Sequence, residues 1–219
     1  MIRIIRKVIR WVLALFFSST IMMVVAYRFI PVYITPLMVI RSFEQIKDGK
    51  SITWHHHWVP LDKMSKHLPV ATMAGEDAQF LTHHGFNYDA IKKAAERNAS
   101  KKKITRGGST ITQQTAKNVF LWPSRTWLRK GLETYFTVLI ELIWSKQRIM
   151  EVYLNSIEMG NGIYGADAVA EYHFDKSAED LTRSECARIV ATFPNPRIYN
   201  SKSPSAYIKM RQRKIEREM

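Results

Sequence analysis

"LRKGLETYFTVLIELIW", residues 128–144, decides the fold class. Leu132, Phe136, Leu139, Ile140 and Ile143 recur at i, i+4, i+7, i+8 and i+11. That spacing lines one face of a helix with apolar side chains and predicts a long buried helix. Helix signals continue on both sides. "TITQ" places Thr110 and Gln113 at capping-box spacing, and "TRSECARIVATF" does the same with Thr182 and Glu185. "LDKMSKHLPVATMAGEDAQF", residues 61–80, carries Leu68, Val70 and Met73. Few stretches read as strands, and no internal repeat is present. The expectation is a mainly α domain.

The chain has 219 residues, enough for one ordinary domain with a real core. Hydrophobic residues make up 46%, as in globular domains, but 33 Lys and Arg face 19 Asp and Glu. The formal charge of +14 points to an anionic partner: nucleic acid, an acidic membrane surface or a phosphorylated substrate. Cys186 is the one cysteine, so an intramolecular disulfide is excluded. Its helical context reads as a buried, inert thiol.

The N-terminus narrows that list of partners. "MIRIIRKVIR", residues 1–10, carries Arg3, Arg6, Lys7 and Arg10. Residues 11–27, "WVLALFFSSTIMMVVAY", then run without a charge until Arg28, with Trp11 and Tyr27 at the ends. A membrane span needs about 17–25 such residues, and interfacial aromatics belong at its ends. A cleaved signal peptide would have a shorter apolar region ending in small residues. An uncleaved transmembrane anchor is the preferred reading. The basic flank stays in the cytoplasm, which puts the rest of the chain outside it, in a bacterium on the periplasmic face. Nucleic acid then drops out as a partner, and anionic lipid or a lipid-linked phosphate takes its place. Pro31 and Pro36 interrupt the stretch after the anchor, so residues 28–50 read as a juxtamembrane linker and 51–219 as the soluble domain.

"SITWHHHWVP", residues 51–60, looks extended. His55, His56 and His57 invite a metal, but on a strand consecutive side chains alternate faces, and no Cys or Glu is near to complete a site. A His-rich surface strand is the better reading.

"GEDAQFLTHHG", residues 75–85, gathers Glu76, Asp77, His83 and His84. On a helix through 76–84, Glu76, Phe80 and His83 share one face, while Asp77 and His84 share the next. Zinc-binding helices place two ligands at i and i+4, and no such pair exists here. The spacing favours Glu76 as an oriented carboxylate.

In "KKKITRGGSTITQQTAKN", residues 101–118, Lys101, Lys102, Lys103, Arg106 and Lys117 bracket a Gly107–Gly108–Ser109–Thr110 turn. A glycine turn feeding a helix N-terminus offers backbone N–H groups to an anion. A phosphate site and a solvated basic loop stand level. Nucleotide motifs do not match.

"PSRTWLRKGLE", residues 123–133, sets Arg129 and Lys130 at i−4 and i−3 from Glu133, which reads first as helix-surface ion pairs. Glu133 also borders the apolar face, where burial and neighbouring cations pull on a carboxylate in opposite directions, as in working acids. Trp122 and Trp127 read either as core or as interfacial anchors. In "KQRIMEVYLNSIEMGNG", Lys146, Arg148 and Glu151 read as surface pairs and Asn155 as a helix C-cap.

Taken in order, "EDAQFLTHHG", "GGSTITQQTAKN", "RKGLE" and "KQRIMEVYLN" resemble the successive motifs of the peptidoglycan glycosyltransferases that polymerise lipid II. "GIYGADAVAEYHFDKSAEDLT" resembles a further segment of that family. The resemblance spans roughly residues 52–200 and leaves no room after it for a transpeptidase domain, so the chain is similar to the monofunctional, membrane-anchored branch. "VATMAGED" and "IME" depart mildly from the usual lead-in and the usual "ILE".

The resemblance implies a lysozyme-like helical fold with a small membrane-facing subdomain, anchored in the bacterial inner membrane. It implies Glu76 as catalytic base and Glu133 as a second acidic residue on the donor side. Ser109, Gln113, Gln114, Lys117, Arg125, Arg129 and Lys130 match or neighbour positions that hold diphosphate and sugars. Asp77, Phe80, His83, Gly85, Lys146, Glu151 and Asn155 become supports. Lipid II, the growing glycan strand and membrane lipid are the implied partners, with cell-division or elongation proteins beyond them. No cofactor is obligatory, although a divalent cation, Mg or Mn, can accompany the diphosphate. Two other readings compete: a lytic glycosidase, which needs neither dense cations nor a lipid anchor, and a non-catalytic envelope protein, for which both glutamates are dispensable.

Overall fold

The computed structural model describes residues 1–89, 91, 92, 96 and 108–219. Lys101 to Lys103, Arg106 and Gly107, the basic arm of the glycine turn, lie outside the described residues.

Helix α1 runs from Ile2 to Tyr27, so the basic start and the charge-free stretch form one rod. At about 1.5 Å per residue it is long enough to cross a bilayer. Among the described residues it is the one helix apolar and long enough to do so. Most of its side chains are exposed, as a membrane anchor requires.

Helix α2, Pro36–Lys47, follows. Pro36 occupies the first turn, where its missing N–H costs nothing, and Thr35 caps it by accepting from Met38 N. Leu37 and Met38 are buried. Gln45 clasps Thr53 from both sides, accepting its N–H at 2.7 Å and donating to its carbonyl at 3.3 Å. Residues 28–50 therefore hold a helix fastened to the domain.

Three short strands form the only sheet among the described residues: β1 His55–His56, β2 Glu158–Gly160 and β3 Ile163–Tyr164. β1 runs parallel to β3 and β2 antiparallel to it. The three histidines go to different partners. His55 stacks on Tyr172, His56 meets the carbonyl of Asn155 at 3.0 Å, and His57 faces Asp167 and Glu171.

The remainder is helical: α3 His67–Glu76, α4 Ile111–Phe120, α5 Trp127–Ile143, α6 Lys146–Ser156, α7 Ala166–Phe174, α8 Arg183–Thr192 and α9 Ala206–Glu218. Both anticipated capping boxes form, at Thr110 with Gln113 and at Thr182 with Glu185. α4 packs between α5 and α6, while α3 packs on α8 and α9. Phe136 and Ile140, from the stripe that announced α5, join Phe80, Ile111, Ile149 and Tyr153 in one core. Cys186 is buried in the same core, and burial pushes its thiol up to about 11.

The opposite face of α5 is apolar and uncovered. Trp127 is 93% exposed and Leu142 77%. Tyr135 on this helix meets α1, with its hydroxyl 2.8 Å from Thr20 Oγ1 and its ring against Phe16 and Phe17. Anchor and exposed apolar face thus lie side by side.

Candidate active site

Glu76 is the last residue of α3. Its neighbour Gly75 packs so tightly that a Cβ there would sit 2.5 Å from Val190 Cγ1 and 3.3 Å from Ile215 Cδ1. That contact fixes the end of α3 against α8 and α9. The helix does not continue through 76–84 as the spacing suggested. Asp77 leaves helical geometry at φ −159°, ψ 78°, and the chain turns. The physical reason is that Asp77 has partners outside any helix it could join. Its Oδ2 accepts from Ile111 N at 3.1 Å, capping the start of α4, and its carboxylate accepts from His83 Nε2 at 2.8 Å. Gly85 N donates to His83 Nδ1 at 3.1 Å, which assigns the ring proton to Nε2.

Further hydrogen bonds tie the buried groups around this turn. Thr110 Oγ1 donates to the Gly85 carbonyl at 2.7 Å. Lys146 Nζ donates to the His83 carbonyl at 2.7 Å and to Glu141 at 2.8 Å, and it lies 4.7 Å from the centre of the buried Phe80 ring. Gly85 itself has φ +84°, and a Cβ there would meet Thr137 Cγ2 at 2.8 Å. Asp77, Phe80, His83, Gly85 and Lys146 form one connected frame directly after Glu76. His84 is exposed and joins none of this.

The Glu76 carboxylate accepts from Gln114 Nε2 at 3.0 Å, and Gln114 Oε1 in turn accepts from the hydroxyl of Tyr153 at 3.2 Å. Burial pushes the Glu76 carboxyl above the usual range, against the pull of Gln114, Arg211 and Lys117. The lysine is Lys117, itself pushed down by burial and held up chiefly by Glu133, with Glu76 adding to that. One half-buried cation thus feels both glutamates.

Glu133 is 3% exposed. Arg129 Nη1 donates to its Oε2 at 2.6 Å and Lys130 to its Oε1. Arg129 is braced in turn by the Ser124 carbonyl at 2.5 Å. Ser109, Gln114, Lys117, Arg125, Arg129, Lys130 and Glu133 all line one cleft of about 730 Å³. Its wall is cationic here, and an anion entering it meets four positive side chains against one carboxylate.

A family model described as Transglycosylase matches residues 44–219. The chain belongs to the transglycosylase family. It is 57% identical over 218 residues to a biosynthetic peptidoglycan transglycosylase of Bacteroides thetaiotaomicron, covering 98% of this chain and 88% of that one. Its likeness to the protein of the same name from Caulobacter vibrioides is 51% over 217 residues, covering 97% and 92%, and from Bdellovibrio bacteriovorus 49% over 210 residues, covering 96% and 84%. The chain is a peptidoglycan glycosyltransferase of lysozyme-like, mainly helical fold.

In this transglycosylase, Ser109, Gln114, Lys117, Arg125, Arg129, Lys130 and Glu133 line the cleft, while Asp77, Phe80, His83, Gly85 and Lys146 frame the turn after Glu76. Gln113 does not reach the cleft. Its side chain is spent closing the capping box, with Oε1 accepting from Thr110 N at 3.1 Å, and it is buried. Glu151 and Asn155 also face elsewhere. Asn155 lies in the last turn of α6 without being its C-cap, and clasps Val59 through both N–H and carbonyl at 2.9 Å. Glu151 accepts from Leu61 N at 3.0 Å and pairs with Arg148. These two staple the arm of residues 51–61 to the domain.

Sequence reasoning passed over Tyr153, Arg41, Glu158 and Arg211. Tyr153 sits in a quoted motif, but its hydroxyl becomes meaningful only once Gln114 is beside it. Arg41 and Glu158 lie 117 positions apart, and no local pattern joins them.

A divalent cation is held by carboxylate and carbonyl oxygens. Both oxygens of Glu133 already accept from cations, and among the described residues no cluster of three or more His, Cys, Asp or Glu comes together. This donor set does not fit a protein-held Mg or Mn ion.

Proposed function

We propose that the enzyme polymerises lipid II into β-1,4-linked glycan. The observation that carries this reading is Lys117, a half-buried cation that shares the cleft wall with Gln114, which holds Glu76, and with the Arg129–Lys130–Glu133 group. Such an arrangement suits a reaction in which a base acts at one end and a diphosphate departs at the other.

In the proposed step, Glu76 takes the proton of the 4-hydroxyl of the acceptor GlcNAc. The oxygen attacks C1 of the donor MurNAc. The C1–O bond to the diphosphate breaks, and its electron pair leaves with undecaprenyl diphosphate. Attack opposite the leaving group inverts the α-linked donor to a β link. The charge that develops on the diphosphate falls among Lys117, Arg125, Arg129 and Lys130, where preorganised donors act most strongly. Glu133 holds Arg129 and Lys130 in place for it. Ser109 and Gln114 contribute polar contacts in the same cleft. The raised Glu76 carboxyl suits a base working near neutral pH.

The same proposal places residues 1–10 in the cytoplasm, 11–27 in the inner membrane, 28–50 beside it and 51–219 in the periplasm. The exposed apolar face of α5 beside α1 favours a cleft held at the bilayer, where a lipid-linked donor arrives. Division or elongation proteins remain candidates for partners there. The test is purified enzyme in detergent with lipid II, followed by glycan length for wild type, Glu76→Gln and Glu133→Gln. Growth in wild type that is lost in Glu76→Gln is the expected result. Shortening of preformed glycan without growth would sink the proposal.

A further inference from the structure

The cleft has a second charged wall that the reaction above does not use. Glu158, at the start of β2, lines it together with Arg41 from α2, and Phe193 and Pro194 supply apolar surface beside them. The Glu158 side chain is 8% exposed. Its Oε2 accepts from Arg41 Nε at 3.2 Å. Its Oε1 is buried with no hydrogen-bond partner among the described residues, the only side-chain atom there of which this is true. A buried carboxylate oxygen without a donor is costly, so a binding partner is the economical explanation.

The surroundings say what that partner is. Arg41 Nη1 also donates to Glu44 at 2.7 Å, and Arg197 reaches Glu44 at 3.5 Å. Two cations and two carboxylates thus cancel here, whereas the Glu133 end of the cleft carries four cations on one carboxylate. An anion is drawn to the Glu133 end and finds no net attraction at Glu158. What Glu158 Oε1 lacks is a neutral donor. An O–H or amide N–H presented from a ring lying against Phe193 and Pro194 has the right chemistry. We infer that Glu158, held by Arg41, is a glycan subsite that accepts a hydrogen bond from a sugar hydroxyl or acetamido N–H of the substrate. The inference rests on the lipid II reading.

A purely structural role for the Arg41–Glu158 pair makes a different forecast. Tethering α2 to β2 uses Oε2 alone, and Glu158→Gln keeps an acceptor for Arg41. The substitution also puts an N–H where Oε1 stood, so a donor on the substrate meets a donor. The experiment measures kcat and KM for lipid II in detergent, with thermal unfolding, for wild type, Glu158→Gln and Glu44→Gln. Glu44 is not part of the cleft wall, yet its loss loosens Arg41 from the other side. The expected result is a KM raised about tenfold or more in Glu158→Gln, with kcat and melting temperature near wild type, and a KM near wild type in Glu44→Gln. An unchanged KM in Glu158→Gln overturns the subsite. So does an equal effect of both variants, or a fall in kcat accompanied by a fall in melting temperature, since each of these assigns Glu158 to the fold. Absence of glycan synthesis by the wild type is a separate outcome that strikes the lipid II reading itself.

Discussion

The side-chain amide of Gln114 donates to the carboxylate of Glu76 at 3.0 Å, and this bond opposes the burial that lifts the Glu76 carboxyl. A donor stabilises the ionised form, so removing it raises the carboxyl further. The base must be ionised to act. Gln114→Ala is therefore expected to move the acidic limb of the kcat/KM profile to higher pH and to lower activity most at acidic and neutral pH. A pH–rate series on lipid II checks it; a limb that stays in place would deny Gln114 this role.

Lys117 is expected to set the other limb. Burial lowers its ammonium, so its charge is lost at a lower pH than an ordinary lysine loses it. If that charge stabilises the departing diphosphate, activity declines as pH rises through the Lys117 transition. Lys117→Arg keeps the cation at all accessible pH and should move the basic limb upward. Lys117→Ala should cost about 10²–10³ in kcat, the usual loss for one preorganised donor.

Glu76 carries a stability signature as well as an activity one. Its folded carboxyl is raised, so the native state favours the protonated form. The corresponding stability is present below the unfolded pKa and disappears as pH rises through the folded one. Once the native carboxyl ionises, its charge is held at some cost. Glu76→Gln removes the charge and keeps the shape. It should melt no lower than wild type at pH 7.5 while losing about 10²–10⁴ in rate, the span attributed to general bases. A destabilised Glu76→Gln would instead mark a structural residue.

Much of this was legible in the chain, for identifiable reasons. The α5 stripe and the two capping boxes are local patterns, complete within a few residues, and they form as written. The Arg129 and Lys130 pairs with Glu133 are likewise local. What misled was partnership at a distance. Asp77 ends α3 because its carboxylate is claimed by Ile111, 34 positions away, so helical spacing through 76–84 had no bearing on where Phe80 and His83 point. Gln113 looked like a ligand-binding amide, but its side-chain carbonyl is committed to the capping box and the residue does not line the cleft. Arg41 and Glu158 belong to no motif, and only the fold makes them neighbours.

The Asp77 frame yields a stability prediction. Asp77→Ala leaves the Ile111 N–H and the His83 ring N–H unpaired in a buried place. A loss of about 2–4 kcal/mol is expected by denaturant titration. Gly85→Ala should cost about 1–3 kcal/mol from its positive φ, with the Thr137 contact adding to it. Both variants should also misplace Glu76 and depress kcat more than they raise KM.

The joint between anchor and domain gives the last prediction. A helix ends with carbonyls that lack partners, and a cation there is favourable by about 0.3–1 kcal/mol, more when partly buried. The end of α1 is met from the domain. Trp144 Nε1 donates to the Val24 carbonyl at 2.8 Å. Arg148 donates to the carbonyls of Tyr27 at 2.8 Å and Ile30 at 2.5 Å. Arg148 is itself steadied by Glu151 and lies 5.1 Å from the centre of the Trp58 ring. These bonds are expected to fix the angle between anchor and cleft. In Trp144→Phe/Arg148→Gln they are gone, while the catalytic groups are untouched. Spin labels on cysteines introduced at Leu13 and Lys209 report the angle, because the native Cys186 is buried and does not compete. A narrow distance distribution in wild type should broaden in the double variant. Glycan synthesis should fall more in bilayer vesicles, where the donor's depth is fixed, than in detergent, where it is not. Equal losses in both media, or an unchanged distribution, would mean that the joint does not set the position of the cleft.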